Sequence, residues 1–247
     1  MAHIKTQGLI IKSTKFGESS RILTVLSREF GRIQVAANNV GRNKGGSTSS
    51  QMFAYSNFTL FKGQKSLYRL NDADCVEFFD DLRSDLEKLS YASYFADVVC
   101  NLTSENNQDD EKLLNLLLNS LHLLCKNAVA AKKIKLVFEL CSISLAGFMP
   151  DFSCCHNCGT TINIAAFDLA NSVIRCKNCI AIAPNIAEFN DTLRNACNYI
   201  TTADMNKIFS FTLSDELLEY LGSIVERYVI FHMEKRLKSL DYLKKIL

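Results

Sequence analysis

The sequence contains no G-x-x-x-x-G-K-[ST] loop, so it offers no phosphate cradle of that kind. It has no G-x-S-x-G elbow for a hydrolase serine, and no H-x-E ahead of a P-C-x-x-C, the pattern a zinc deaminase needs. The four histidines, His3, His122, His156 and His232, are scattered and fall in no catalytic pattern. Between Met1 and Asn71 only Glu18 and Glu29 are acidic, so this block lacks the carboxylate cluster of a nuclease. No apolar run reaches 18 residues and Met1–Gln7 opens no long apolar stretch. Neither a membrane span nor a targeting segment is expected, and the default location is the cytoplasm. Tryptophan is absent and only two prolines occur, and neither shortage bears on function. Together the absences argue against an enzyme.

What is present supports a folded protein. The chain has 247 residues, 48% hydrophobic and 22% charged, enough to bury a core in one large or two small domains. Ten cysteines in a reducing compartment are expected to be thiols or metal ligands, not disulfides.

The net charge of +2 hides a gradient. Residues 1–79 hold 11 Lys/Arg against 5 Asp/Glu, whereas residues 80–150 hold 7 against 10. Residues 151–188 hold 2 against 3, and residues 189–247 balance at 8 against 8. The positive charge sits in one N-terminal block. A solvated basic face would account for it, but composition and loop chemistry agree better with a surface for a polyanion.

That block reads as strands. Ile4–Lys12, Arg21–Ser27, Arg32–Ala37, Phe53–Phe61 and Leu67–Asn71 are short runs rich in β-branched and aromatic residues, with a further short strand over Asp74–Phe78. Five or six strands in under 80 residues suggest a small antiparallel barrel. Asn38–Ser50, with Arg42 and Lys44 among its glycines, is expected to be a loop excursion between strands. After Phe79 the period becomes helical. Leu82–Val99 and Leu113–Leu124 carry apolar stripes, and Lys132–Phe148 stops at Gly147 with Pro150 beyond. The helical pattern returns from Asp191, with a short helix over Asp204–Phe209 and another capped by Ser214. The expected organisation is an N-terminal domain over 1–79, a helical domain over 80–150 and 189–247, and a cysteine-bearing insertion over 151–188.

The insertion carries the sharpest signal. Cys155-His156-Asn157-Cys158 and Cys176-Lys177-Asn178-Cys179 form C-x2-C-x17-C-x2-C. A two-residue spacer lets both sulfurs of a pair face one point in a tight turn, and Gly159 supplies the backbone freedom. Four soft donors suit one structural zinc ion per chain, with no open position for catalysis. Cys154 leaves the register open as a C-x3-C with Cys158, and Cys155 is preferred because the pairs then match. His156 is expected at the surface. Cys75, Cys100, Cys125, Cys141 and Cys197 are expected to be small buried hydrophobes.

Three stretches carry a family resemblance: Thr6-Gln7-Gly8-Leu9-Ile10-Ile11, then Gly17-Glu18-Ser19-Ser20-Arg21-Ile22-Leu23-Thr24 with Phe30-Gly31-Arg32, and Gly147-Phe148-Met149-Pro150 leading into the cysteines. The chain resembles the bacterial recombination mediators of the RecO family over essentially its whole length. The resemblance implies an α+β protein: an N-terminal OB-fold barrel and a helical domain with an inserted four-cysteine zinc segment. It implies binding of single- and double-stranded DNA, annealing of complementary strands, and no catalysis. It also implies as partners RecR, the acidic C-terminal tail of the single-strand-binding protein and, indirectly, RecA. The family often has a denser basic loop where this chain has Gly45–Ser50.

An OB-fold binds strands through a positive groove and stacking rings. Lys12, Lys15, Arg21, Arg32, Arg42 and Lys44 are candidate phosphate contacts. Phe16, Tyr55, Phe58 and Tyr68 are possible stacking rings, of which half or more should be core. Lys132, Lys133 and Lys135, beside an apolar stripe in a net-acidic region, are the candidate site for the acidic tail, although a solvated helix start explains them as well. Two other classes fit the same residues: an OB-fold and zinc-ribbon RNA- or DNA-binding factor of transcription or translation, and a nucleic-acid enzyme with an unrecognised site. Strand annealing without nucleotide or Mg²⁺ separates the first, and product analysis on labelled DNA the second.

Overall fold

The computed structural model describes residues 3–16, 20–38, 48–62, 67–105, 107, 110–180 and 185–247. These divide into two compact units, residues 1–126 with 237–247, and residues 127–236.

The first unit begins with β1 (His3–Phe16), β2 (Ser20–Ser27), β3 (Gly31–Ala37), β4 (Ala54–Lys62) and β5 (Leu67–Phe78). They close a five-stranded OB-like barrel in the order β1-β2-β3-β5-β4, with β3 and β5 parallel and every other pair antiparallel. Strand periodicity builds the interior. Ile33, Val35 and Ala37 are buried while Arg32, Gln34 and Ala36 between them are half-buried. Ile10, Leu23, Val25, Phe58, Leu60 and Tyr68 fill the same core. Gly8 lies where a Cβ would meet Val25 Cγ1 at 2.6 Å and the Leu26 carbonyl at 2.9 Å, so β1 approaches β2 closely there.

The two short strands expected over Leu67–Asn71 and Asp74–Phe78 are one strand of 12 residues. Its polar centre faces solvent while the backbone stays paired, with Thr59 opposite Asp72 and Asn57 opposite Asp74, and bulges in the ladder absorb the irregularity. A 3-10 turn (Asp80–Leu82) leads to α1 (Leu86–Leu102), whose N-cap Asp85 accepts from the amides of Glu87 and Lys88. α2 (Glu111–Lys126) follows. Gly31, at φ +59°, would place a Cβ 1.8 Å from the Asn107 carbonyl, so only glycine fits where the α1–α2 connector crosses β3.

The second unit holds α3 (Ala131–Leu145), a sheet of β6 (Ile164–Asp168), β7 (Val173–Cys176) and β8 (Ile186–Glu188) in the order β7-β6-β8, then α4 (Asp191–Thr202) and α5 (Asp215–Met233). Gly147, at φ +96°, terminates α3, and the Phe148 amide donates back to the Ile143 carbonyl. Phe152, Phe167, Phe189 and Tyr228 form an aromatic cluster with centroid spacings of 5.3–6.0 Å, which seats the small sheet against α5. Ser214 caps α5 through the Leu217 amide. The helix expected over Asp204–Phe209 is a pair of turns. The Lys207 amide donates to the Asp204 carbonyl, and the Lys207 carbonyl accepts from the Ser210 amide and the Tyr199 hydroxyl, so no i→i−4 ladder starts. The last helix, α6 (Lys238–Ile246), belongs to the first unit, where Ser239 Oγ donates to Asp97 Oδ2 at 2.6 Å. Among the described residues no helix is long and apolar enough to cross a membrane.

Candidate metal centre and nucleic-acid interface

Two tight turns present the four thiols. In the first, the Gly159 amide donates to the Cys155 carbonyl and the Cys155 amide to the Thr160 carbonyl, each at 2.8 Å, with Gly159 at φ +73°. In the second, at the end of β7, the Cys179 amide donates to the Cys176 carbonyl at 2.9 Å. Two backbone bonds bring the turns together, His156 amide to Ile174 carbonyl and Lys177 amide to Asn163 carbonyl, each at 3.0 Å. Arg175 adds a side-chain tie, bonding Asn157 in the first turn and, at 3.2 Å, Asp168 on β6.

The Sγ atoms of Cys155, Cys158, Cys176 and Cys179 lie within 4.8 Å of one another, and Cys158 and Cys176 are 3.7 Å apart. A tetrahedral ion with sulfurs at ~2.3 Å separates its ligands by ~3.8 Å, so the donor set fits a metal of that kind. Cys154 stands outside this group, its sulfur receiving the Ser153 hydroxyl at 3.6 Å. His156 is exposed.

The electrostatics favour a cation at the centre. Burial opposes ionisation of Cys155, yet the amides of Cys176, Cys158 and Asn157 outweigh it and bring the thiol down to about 6. Hydrogen bonding with Cys176 and Cys158 pushes Cys179 up to about 12. Clustered thiols thus give up one proton readily and resist losing the last, and a bound cation would take the place of those protons. Cys141, on α3, is buried, and burial pushes its thiol up to about 12, which fits an inert core residue. Cys197 is buried and raised for the same reason, whereas Cys75, Cys100 and Cys125 are half-buried.

The barrel sorts the predicted phosphate contacts. Lys15 and Arg21 are direct cross-strand partners on the β1–β2 hairpin, and Lys12 sits on the same hairpin opposite Thr24. Phe16, beside them, is 68% exposed, while Phe58 and Tyr68 belong to the core and Tyr55 is buried with its hydroxyl on Gln7. Arg32 stands apart. It faces Leu26, five positions along β3 from the Ala37 that faces Arg21, and its backbone bridges to Glu105. Arg42 and Lys44 lie outside the described residues.

Sequence reasoning missed Arg69, exposed at the start of β5. The parallel β3–β5 pairing sets it opposite Ala36, next to the Ala37–Arg21 pair. Only that non-local pairing reveals the position. A different face of the barrel is acidic. Glu29, Asp72 and Asp74 line a shallow groove with Lys5, Gln7 and Asn57, which repels phosphate.

The lysine cluster on α3 is engaged within its own unit. Lys132 pairs with Glu219, and Lys133 donates to the Phe211 carbonyl with its ammonium 4.4 Å from the Phe211 ring centroid. Lys135 is half-buried between Glu139 at 2.8 Å and Glu226 at 2.9 Å. Burial opposes its charge, but the two carboxylates outweigh that and raise its pKa. Lys135 therefore already has two carboxylate partners within its own unit.

Residues 1–79 match the family Recombination protein O N terminal, and residues 83–241 match Recombination protein O C terminal. The chain is similar to the DNA repair protein RecO of Acetivibrio thermocellus, 35% identical over all of this chain and 98% of that one. It is likewise similar to the DNA repair protein RecO of Alkaliphilus metalliredigens, 32% identical over 98% of this chain and 99% of that one, and to that of Caldicellulosiruptor bescii, 31% identical over all of both. With both family matches and full-length relatives above 30% identity, the chain belongs to the RecO family.

Proposed function

We propose that this chain is a non-catalytic recombination mediator of the cytoplasm, acting in DNA repair. It binds single- and double-stranded DNA on the barrel rim formed by Lys12, Lys15, Arg21 and Arg69. It anneals complementary strands and, with RecR, helps load RecA onto DNA coated by single-strand-binding protein. The observation that carries the reading is the pairing of Lys15 with Arg21 on a hairpin that also carries Lys12 and the exposed ring of Phe16. Cations hold the phosphates and an exposed ring stacks a base, which needs no base-edge readout and gives sequence-independent binding. Annealing requires no covalent step: phosphate charge on two strands is neutralised and base pairing completes the reaction.

Zinc is the metal proposed for the four cysteines, because four thiolates in a closed tetrahedron suit it and leave no position for a reacting water. It would hold the insertion's two turns together. The tail of the single-strand-binding protein is proposed to dock on this chain through cations beside apolar surface. Of the α3 lysines, Lys132 and Lys133 stay candidates for its carboxylates, in competition with Glu219 and Phe211.

The test is DNA binding and annealing by wild type and Lys12→Ala/Lys15→Ala/Arg21→Ala, without nucleotide or Mg²⁺. The triple variant is expected to lose binding to both DNA forms and to shallow the log–log salt slope by roughly 0.7–0.9 per lost phosphate contact. Arg32→Ala is expected to stay near wild type. Unchanged affinity and slope in the triple variant would remove the rim from the interface.

A further inference from the structure

Two α4 side chains that no cysteine pattern points to hold the first turn of the metal centre from outside it. The Arg194 guanidinium donates to three backbone carbonyls, from Nε to Phe152 at 3.0 Å, from Nη2 to Ser153 at 2.8 Å and from Nη1 to Thr161 at 2.9 Å. One turn earlier, the Asp191 carboxylate accepts from the amides of Asn163 and Ile164, each at 3.1 Å. Phe152 and Ser153 lie just before the Cys155–Cys158 turn, and Thr161 to Ile164 just after it. One helical turn thus fixes both ends of the segment that carries half of the donor set.

The clamp has its own footing. α4 buries Leu193, Ala196, Cys197 and Ile200, and the Cys141 thiol on α3 donates to the Ile200 carbonyl at 3.7 Å. α4 is therefore held by the helical body and not by the thiols. The geometry also demands arginine. Three carbonyls converge on one planar fork, which a lysine ammonium matches only in part.

We propose that Arg194 and Asp191 are positioning residues for the metal, setting from α4 how long the ion stays on Cys155 and Cys158. This rests on the cluster holding a metal. Ligands must sit close to their final geometry before the ion arrives, and here the approach and exit of the first turn are set in the protein itself. Loss of the fork frees that turn, so the sulfurs of the first pair can leave the ion one at a time.

The test uses the full chain loaded with Co²⁺ in reducing buffer, reading the thiolate-to-cobalt absorption and the rate of release to a chelator. Arg194→Met is expected to release the ion at least tenfold faster than wild type, with an altered cobalt band. Arg194→Lys should fall between the two, and Asp191→Asn should speed release by a smaller factor. Leu221→Ala, which opens a cavity at a buried position of α5, is the control for general loss of stability and is expected to release at the wild-type rate. Wild-type release and band in Arg194→Met would overturn the proposal, as would a Leu221→Ala variant that releases as fast as Arg194→Met. A wild-type chain that gives no cobalt–thiolate band would overturn the metal reading and this proposal with it.

Discussion

The barrel strands run 14, 8, 7, 9 and 12 residues and close on themselves, whereas the three strands of the cysteine segment run 5, 4 and 3 residues in an open sheet. The barrel interior is apolar from Ile10 to Tyr68, and each fully buried aliphatic or aromatic side chain contributes on the order of 1.5–3 kcal/mol. The small sheet has an aromatic cluster on one side and two turns bearing thiols at its end. It is held by side-chain-to-backbone bonds from Arg194 and Asp191 and by Arg175, beside a four-sulfur cluster that can hold a metal. One region is specified by what it excludes from water, the other by a few polar groups that each have one geometry. Losses in the first should be graded, and losses in the second abrupt.

The largest contrast is expected on removing one thiol. Cys176→Ser should take metal content from about one ion per chain to near zero, since a closed four-thiolate shell has no substitute donor. Hydrogen exchange should then rise through residues 151–180, while the β1–β5 amides keep their protection. Cys154→Ser should retain its metal. If instead Cys154→Ser loses the ion and Cys176→Ser keeps it, the donor set is different. If barrel protection falls in step with the insertion, the two regions are not held by different means.

Gly31→Ala carries the same comparison into the barrel. Position 31 requires φ +59°, which costs a non-glycine residue roughly 1–2 kcal/mol, and the new methyl would meet the Asn107 carbonyl, so the connector must move as well. The total is expected to be about 3 kcal/mol of stability by denaturant titration, with metal retained. A loss under ~1 kcal/mol would mean that the connector gives way freely and that the glycine is not structurally required.

Local pattern carried much of this into view from the sequence. Strand alternation and the change to helical spacing after Phe79 located the barrel and the helices, because both periods are properties of neighbouring residues. The cysteine spacing brought out the cluster, because two tight turns are local objects. What stayed hidden depends on distant partners. Asn71–Asp74 reads as a break until β4 is seen to pair on both sides of a bulge at Asn71. Arg69 comes beside the proposed rim only through the parallel β3–β5 pairing. The ion pairs of Lys132 and Lys135 on α3 cannot be read locally, because Glu219 and Glu226 lie some 90 residues away. Arg194, 41 residues from Ser153, has no sequence signal at all.

The smallest expected effect concerns thiols outside the cluster and sharpens the contrast from the alkaline side. Burial pushes Cys141 up to about 12 and raises Cys197 further, both in the second unit, while the first unit holds only half-buried thiols. An unfolded chain gives up these protons above pH 9, and the folded chain keeps them. The unfolded state then binds fewer protons, so stability falls as pH rises. The contribution is present in full below pH 9 and declines by on the order of 1 kcal/mol per pH unit for each thiol above it. Lysine and tyrosine titration overlaps this range, so the measurement is a difference. Denaturant titrations at pH 8, 9 and 10 compare wild type with Cys141→Ala/Cys197→Ala. The double variant loses packing at every pH, and its stability should decline less steeply than that of wild type between pH 9 and 10. Parallel declines would show that these thiols reach solvent in the folded chain, and that the second unit is less tightly closed around α3 and α4 than their burial implies.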